Sequence, residues 1–305
     1  LQEGYRYAVI EMGAYGPGSI AHLCSLTPPQ AAIITSIGTA HLERFGSREI
    51  ILKAKAELAA AVPVDGILVC NGDDPGARQI ATIHRKKTTL LYGTEQREEP
   101  LDCQLLNWEM KGKGTAFTLR WKEKEYEGWS PTYGKLPLLN LMAAFTMACA
   151  LGADPTLVLA AIRSQEPVEN RLQPKKEGNS IYLHDAYNSN PRGFFDALDV
   201  MKQLPGKRRI LMTPGMIELG TIQDEENKKV AAYAATVCDY VLVVGKTNRH
   251  SLVRGLTSEG MAENQFFVHD TRSSAFEQLA TLREEGDIIL IENDLPDLYE
   301  AAVKF

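Results

Sequence analysis

Short apolar runs alternate with longer helical stretches along the chain, and this alternation limits the possible folds more than any other feature. In the first half the apolar runs lie at residues 7–11, 31–35 and 66–70, and apolar residues recur at helical spacing in 47–61 and 139–151. Short apolar runs separated by helices are typical of buried parallel strands joined by crossover helices. The first half is therefore predicted to be an α/β domain with a parallel sheet.

Residues 101–129 follow a different pattern, in which apolar and polar residues alternate, as at 115–121. A period of two is the pattern of strands that bury one face only. We predict a small antiparallel set of strands at one edge of the first sheet.

The second half starts near Pro167 and repeats the alternation of strands and helices with fewer interruptions. Its predicted strands lie at residues 180–184, 209–212, 240–244, 265–268 and 287–291. This order predicts a Rossmann-like, doubly wound α/β domain. The predicted domains are therefore residues 1–166 and 167–305.

The formal net charge of −6 argues against a dedicated nucleic-acid-binding protein, because such proteins neutralise phosphates with a basic surface. The chain has no apolar run of about 18 residues, and its first residues lack the basic and apolar regions of a signal peptide. Its cysteines include no CxxC pair that would suggest a zinc site or a redox dithiol. We expect a cytoplasmic protein without membrane insertion and with reduced thiols.

Three residues of the first half carry chemistry near the carboxyl ends of predicted strands, where ligands gather in such sheets. Glu11 ends the first apolar run, His41 follows the second, and Lys55 lies in the helix that Ser47 is predicted to cap. Each has a simpler interpretation when taken alone: a surface carboxylate, a structural hydrogen-bonding histidine and a solvated lysine. A carboxylate such as Glu11 could instead hold a magnesium ion beside a nucleotide.

Taken together, these residues resemble the central domain of the Mur ligases in kind, order and spacing. The matching segments are 11–13 (Glu-Met-Gly), 40–47 (Ala-His-Leu-Glu-Arg-Phe-Gly-Ser), 54–57 (Ala-Lys-Ala-Glu) and 71–75 (Asn-Gly-Asp-Asp-Pro). The resemblance implies a parallel-sheet domain of the P-loop type in which Glu11 and His41 bind Mg²⁺ and Lys55 is carbamylated. It makes these three the catalytic and metal-binding residues, because a carbamate turns a lysine cation into an anionic oxygen ligand.

The second half continues the resemblance. Asn140, at the start of a predicted helix, matches a family asparagine that contacts adenine, and Arg171 matches an arginine that contacts the nucleotide ribose or phosphates. Residues 184–191 (His-Asp-Ala-Tyr-Asn-Ser-Asn-Pro) are similar to the family motif Asp-x-Tyr-Asn-Ala-Asn-Pro. This places Asp185 near the nucleotide and Asn188 near the incoming amine. The alternatives are helix capping for the motif and a solvated linker charge for Arg171.

The motifs are most similar to the MurF branch, which adds D-alanyl-D-alanine to a UDP-linked muramyl tripeptide in cell-wall synthesis. The resemblance implies a monomeric, ATP-dependent and Mg²⁺-dependent ligase that joins a carboxylate to an amine through an acyl phosphate. A different Mur-superfamily ligase, with another amine or carboxylate, is an alternative. A non-catalytic nucleotide-binding module is a third possibility.

Several positions depart from the family pattern. No phosphate-binding loop of the type Gly-x-x-x-x-Gly-Lys-Ser/Thr occurs, so we expect it upstream of Leu1 and expect the chain alone to be inactive. Leu136 and Pro137 stand where the family has other residues, before Asn140. Gly215 and residues 292–294 (Glu-Asn-Asp) differ on the side where the amine should bind. Segment 216–220 resembles a further MurF-like element and would equally suit the approach to a helix.

Overall fold

The computed structural model describes residues 4–39, 41–86, 88–95, 100–186 and 189–292. Within these ranges the strands form two six-stranded sheets, one in each half of the chain. None of the helices in the described ranges is both long and apolar enough to cross a membrane.

The first sheet has its six strands in the same order in space as along the chain. Strands β1 to β4 pair in parallel, and β4, β5 and β6 form antiparallel pairs at one edge. The strands are β1 Ala31–Ile34, β2 Ile67–Asn71, β3 Thr88–Gly93, β4 Cys103–Lys111, β5 Gly114–Trp121 and β6 Lys124–Ser130. Both the parallel sheet and its antiparallel edge are confirmed.

The helices of the first half are α1 Ser19–Leu26, α2 Leu42–Phe45, α3 Arg48–Ala61, α4 Pro75–Ile83, α5 Lys135–Ala150 and α6 Pro155–Ser164. The predicted cap of α3 is confirmed, since Ser47 Oγ accepts a hydrogen bond from the Ile50 amide at 3.3 Å. Asp74 and Asp154 cap α4 and α6 in the same way.

The predicted first strand, residues 7–11, is wrong for the described structure. These residues form no strand, and the Val9 side chain is 98% exposed. A strand persists only where its amide and carbonyl groups find a neighbour. Among the described residues β1 pairs with β2 alone, so residues 7–11 have no strand beside them. The apolar composition of residues 7–11 did not reveal that they lack a neighbouring strand.

The predicted start of the helix at residue 139 is also wrong, because α5 begins at Lys135. Gly134, with φ of 90°, precedes it and lies against α7, where an added Cβ would come 2.7 Å from Val200 Cγ2. Pro137 lies in the first turn, where its missing N–H costs nothing. Asn140 therefore lies inside the helix and does not open it.

The second sheet has the strand order β11-β10-β9-β12-β8-β7. Its strands are β7 Gln173–Glu177, β8 Ser180–Asp185, β9 Arg209–Thr213, β10 Tyr240–Val244, β11 Phe266–His269 and β12 Ile288–Glu292. All neighbours pair in parallel except the hairpin of β7 and β8. The five parallel strands match the five predicted ones, and β7 was not predicted.

Helices cover both faces of the second sheet. They are α7 Pro191–Gln203, α8 Gln223–Val237, α9 Arg249–Ser258 and α10 Arg272–Leu282. Side chains of α7, α8 and α9 share one buried cluster, whereas Ala275 and Leu279 of α10 pack in another. The doubly wound architecture is confirmed. The domain boundary at 166/167 stays a prediction; α6 ends at Ser164 and β7 begins at Gln173.

Candidate functional site

Lys55 projects from α3 toward the loop that follows β1. Its Nζ donates a hydrogen bond to the Ser36 carbonyl oxygen at 3.0 Å. Burial lowers the pKa of this amine, and the nearby Asp74 carboxylate opposes the shift only in part. A lowered pKa increases the fraction of neutral amine, which is the form that can react with CO₂. Lys55 is therefore not the solvated surface lysine of the simpler interpretation.

Two carboxylates at the carboxyl end of β2 organise the loops around Lys55. Asp74 is 6% exposed and accepts a hydrogen bond from the Ala77 amide at 2.8 Å. Asp73 accepts hydrogen bonds from the amide and the hydroxyl of Thr94, each at 2.9 Å to Oδ2. These contacts tie the end of β3 to the turn after β2, beside α4.

His41 follows β1 and contacts the second half of the chain. Its backbone is left-handed, with φ of 59°, and its Nδ1 is hydrogen-bonded to Glu218 Oε2. Arg44 Nη2 donates to Glu218 Oε1 at 2.7 Å. Burial raises the pKa of Glu218, but the hydrogen bonds and charges of His41 and Arg44 outweigh it, so the net pKa lies below its usual value.

The described contacts do not join the three predicted metal-binding residues. Lys55 contacts Ser36, His41 contacts Glu218, and Glu11 is exposed outside any strand. No group of three or more His, Cys, Asp and Glu side chains in the described part of the chain is arranged to hold a metal ion. The donor types nevertheless fit Mg²⁺, because Glu11 and a carbamate on Lys55 would supply two anionic oxygens.

Of the predicted nucleotide-binding residues, the structure brings two together. Asp185 ends β8, its Oδ1 accepts a hydrogen bond from the Leu172 amide at 3.0 Å, and the charge of Arg171 acts on it. Asn140 is exposed on α5, and no described contact joins it to this pair. Asn188 lies outside the described residues, as do Asn293 and Asp294.

A buried pair of carboxyl groups at this position was not foreseen. Glu292, the last residue of β12, lies directly beside Asp185 in the parallel register and is 1% exposed. Ser189 Oγ donates to Glu292 Oε1 at 2.6 Å. Burial raises the pKa of Asp185 to about 6, and burial together with Asp185 raises the pKa of Glu292 well above its usual value. The sequence showed Glu292 as a departure from the family pattern, but only strand register reveals its neighbour.

The loop after β9 is held by two buried asparagines, which the sequence analysis also missed. Asn227 on α8 accepts from the Met216 amide at 2.8 Å and donates to the Met216 oxygen at 2.9 Å. Asn248, before α9, donates to the oxygens of Pro214 and Met216 at 2.9 and 3.0 Å. Together they fix the backbone that leads to Glu218.

A cleft of about 630 Å³ lies between the two halves beside this loop. Its first-half wall contains Leu42, Glu43 and Gly46, and its second-half wall contains residues 220–224 and 247–248 in part. The segments that follow β9 and β10 thus face α2 across open space.

Comparison with known proteins identifies the two halves. The model of the Mur ligase middle domain matches residues 1–148, and that of the Mur ligase glutamate ligase domain matches residues 170–292. The chain belongs to the Mur ligase family.

The relatives of this Mur ligase chain include UDP-N-acetylmuramoyl-tripeptide--D-alanyl-D-alanine ligases. The Escherichia coli protein is 32% identical, covering 87% of this chain and 57% of the relative. The Bacillus subtilis protein is 30% identical, covering 81% of this chain and 52% of the relative. The chain therefore spans little more than half the length of these curated relatives.

Solved structures give the same family. MurF from Thermotoga maritima, crystallised in complex with ADP, has a TM-score of 0.79 at 25% identity, covering 93% of this chain and 62% of that one. MurF from Acinetobacter baumannii has a TM-score of 0.84 at 23% identity, covering 96% and 62%. The latter similarity shows the Mur ligase fold alone.

The carboxyl pair is expected to make the stability of this Mur ligase chain dependent on pH. The pKa of Asp185 is about 6 in the folded state and about 4 in the unfolded state. The protonated carboxyl group therefore contributes its full stabilisation below about pH 4, and this stabilisation is lost as the pH rises through about 6. Glu292→Gln removes one of the two acids and can still donate to Asp185. The free energy of unfolding is measured in urea at pH 4.5 and 7.5. Relative to wild type, that of the variant should be higher at pH 7.5 than at pH 4.5 by on the order of 1 kcal/mol. The exposed Glu259→Gln variant should show no such gain, and an equal pH dependence of Glu292→Gln and wild type would contradict the coupling.

Removing the Asn227 amide should weaken the loop after β9. Asn227→Ala leaves the buried Met216 amide without its partner and removes one of the two donors to the Met216 carbonyl, the other being Asn248. The free energy of unfolding should fall by about 1–3 kcal/mol, measured by urea denaturation. Asn264→Ala, at an exposed position, is the matched control and should change it by less than about 0.5 kcal/mol.

Proposed function

We propose that this chain provides the central and C-terminal domains of an ATP-dependent ligase that joins a carboxylate to an amine through an acyl phosphate. The carboxylate substrate is a UDP-linked muramyl peptide, and the amine is D-alanyl-D-alanine or a close analogue. The reaction belongs to cell-wall peptidoglycan synthesis, and its use of ATP places it in the cytoplasm.

The state of Lys55 is the observation that carries this proposal. Its partly buried amine, with a lowered pKa and a backbone carbonyl as its hydrogen-bond partner, is suited to carbamylation. The neutral nitrogen adds to the carbon of CO₂, one proton is released, and an anionic carbamate results. A solvated lysine would stay protonated at neutral pH and would not react in this way.

Glu11, His41 and the carbamate of Lys55 would hold magnesium together with the ATP phosphates. When bound, the metal supplies positive charge that neutralises the phosphoryl oxygens. The role of the chain is to orient these donors and, by contact between its two halves, to exclude water from an acyl phosphate that water would hydrolyse.

The second half would bind the nucleotide from the other side and deliver the amine. Arg171 and Asp185 lie together at the carboxyl end of β8, as expected for contacts to a ribose or phosphate. Asn188 is proposed to lie near the amine and Asn140 near the adenine. The amine attacks the acyl carbon, and phosphate leaves.

The similarity to UDP-N-acetylmuramoyl-tripeptide--D-alanyl-D-alanine ligases supports D-alanyl-D-alanine as the amine. Glu292 and Gly215 differ from the family pattern near the proposed amine site, and this favours testing other amines as well. The alternative is a ligase of the same superfamily with a different amine.

The experiment uses the natural full-length protein that contains this chain. Phosphate release from ATP is measured with a UDP-muramyl tripeptide and a panel of amines that includes D-alanyl-D-alanine, D-alanine and D-glutamate. We expect release only when both substrates are present, and fastest with D-alanyl-D-alanine. If phosphate is released with none of the amines, the proposed ligase function is wrong. If another amine gives the fastest release, the proposed amine substrate is wrong but the proposed reaction stands.

A further inference from the structure

Glu218, in the second half of the chain, contacts residues at the beginning of α2 in the first half. Its carboxylate is hydrogen-bonded to His41 Nδ1 and accepts from Arg44 Nη2 at 2.7 Å. Its backbone oxygen also accepts from the Glu43 amide at 3.1 Å. The Glu218 side chain is 13% exposed, so it is enclosed between the halves although both partners are more exposed. These contacts make Glu218 a link between the domains at His41.

The backbone on both sides of this link is held in an uncommon conformation. Glu218 and His41 have φ of 61° and 59°, in the left-handed region that is unfavourable for a non-glycine residue. Buried Met216 and Leu219 flank Glu218 in its loop. Gly220 brings its backbone against Glu43, where an added Cβ would lie 3.4 Å from the Glu43 Cα. Such strain persists only where the surrounding contacts impose it.

The link determines which nitrogen of His41 carries a proton. A carboxylate can only accept hydrogen bonds, and the Arg44 guanidinium stabilises its ionised form. Nδ1 must therefore be the donor, and in the neutral ring Nε2 then carries the lone pair. Histidines that bind metal commonly donate their other N–H to a carboxylate, which orients the ring and increases its basicity.

We propose that Glu218 is a positioning residue that holds His41 in the Nδ1–H tautomer with Nε2 as its ligand nitrogen. This inference rests on the metal-binding role given to His41 in the proposed function. Because Glu218 belongs to the second domain, it holds His41 in this tautomer only while the two domains are in contact. Contact between the domains is thereby coupled to metal binding.

The tautomer is measured directly by two-dimensional ¹H–¹⁵N NMR of the histidine rings in the full-length protein, with His41 signals identified by their loss in His41→Gln. Wild type should show His41 predominantly as Nδ1–H when neutral. Glu218→Ala should convert it predominantly to Nε2–H. Glu218→Gln keeps the size and an oxygen acceptor, so it should fold normally and retain most of the Nδ1–H form.

The matched control is Glu226→Ala, which removes a partly buried carboxylate on α8 that pairs with Lys229 at 2.8 Å within the second domain. It should leave the His41 signals unchanged. As a second readout, the Mg²⁺ concentration for half-maximal activity should rise about 10-fold to 100-fold in Glu218→Ala and stay unchanged in the control.

An unchanged His41 tautomer in Glu218→Ala would overturn the proposal, and so would an unchanged Mg²⁺ dependence in an active protein. If the wild-type protein ligates no amine at all, the proposed function fails. The tautomer measurement still decides in that case whether Glu218 positions His41, so the two failures are distinguishable.

Discussion

Lys55→Ala is expected to abolish ligation in the full-length protein, reducing the rate by about 100-fold or more, since one electrostatic group in a preorganised site is worth on the order of 10²–10³. The variant removes the only atom that can carry the proposed carbamate. Short carboxylic acids such as acetate, added to the assay, should restore part of the activity by supplying an anionic oxygen in the space left by the side chain. ATP-dependent phosphate release measures both effects.

Lys53→Ala is the matched control for this experiment. Lys53 lies on the same helix two residues earlier and is exposed, so its loss should change the rate by less than about twofold, in keeping with a surface substitution. Full activity of Lys55→Ala would remove Lys55 from the site. Equal losses of ligation rate in both variants would indicate that the substitutions disrupt α3, and not that a carbamate has been removed.

Phe145→Ala should produce the largest loss of stability among simple core substitutions in the first domain. The Phe145 ring is fully buried and packs edge to face against Trp121, with ring centroids 6.0 Å apart, and against Tyr126 at 6.4 Å. It joins α5 to the antiparallel strands β5 and β6. Its truncation should lower the free energy of unfolding by about 3–5 kcal/mol, measured by urea denaturation followed by tryptophan fluorescence.

Leu157→Ala tests whether this loss comes from burial. Leu157 lies on α6, which packs on β6, but its side chain is 71% exposed. Its removal should change the free energy of unfolding by less than about 0.5 kcal/mol. A loss below about 1 kcal/mol for Phe145→Ala would mean that the cavity collapses and that the aromatic cluster does not hold the helix to the sheet.

The parallel strands of the second domain could be predicted closely from the sequence. Strand β10 was predicted at its observed bounds, and the others within one residue at either end. Strands β8, β9, β10 and β12 are mostly buried and therefore appear as continuous apolar runs. Strand β7 was missed because its residues, Gln-Pro-Lys-Lys-Glu, are polar and lie at an exposed edge. Apolar patterning cannot detect a strand that is stabilised mainly by its hairpin partner.

The two wrong predictions in the first domain also arise because composition does not reveal which segments are neighbours in the fold. Residues 7–11 have the composition of a buried strand, but a strand also needs a neighbour, and that is a property of the assembled sheet. Asn140 was expected to begin a helix that in fact begins at Lys135, where Gly134 meets α7. In both cases the deciding contact is distant in sequence.

The site was predictable as a list of residue types and not as an arrangement. Motifs identified Lys55, His41 and Asp185, and the structure gives each a specific contact. The partner of His41, Glu218, lies 177 positions away, and the neighbour of Asp185, Glu292, is set by strand register. Tertiary pairings of this kind cannot be inferred from one sequence without an alignment.

The strand order of the second sheet has a consequence for how this domain forms during translation. Strand β12 is the last described strand to be synthesised, yet it lies between β8 and β9 and pairs with both. Until it leaves the ribosome, the earlier strands have a gap at the centre of their sheet, with unpaired edges on either side. The pairs β7–β8 and β9–β10–β11 can form earlier, but they can join into one sheet only when β12 is available. A nascent or prematurely terminated chain that lacks β12 would present aggregation-prone edges to chaperones.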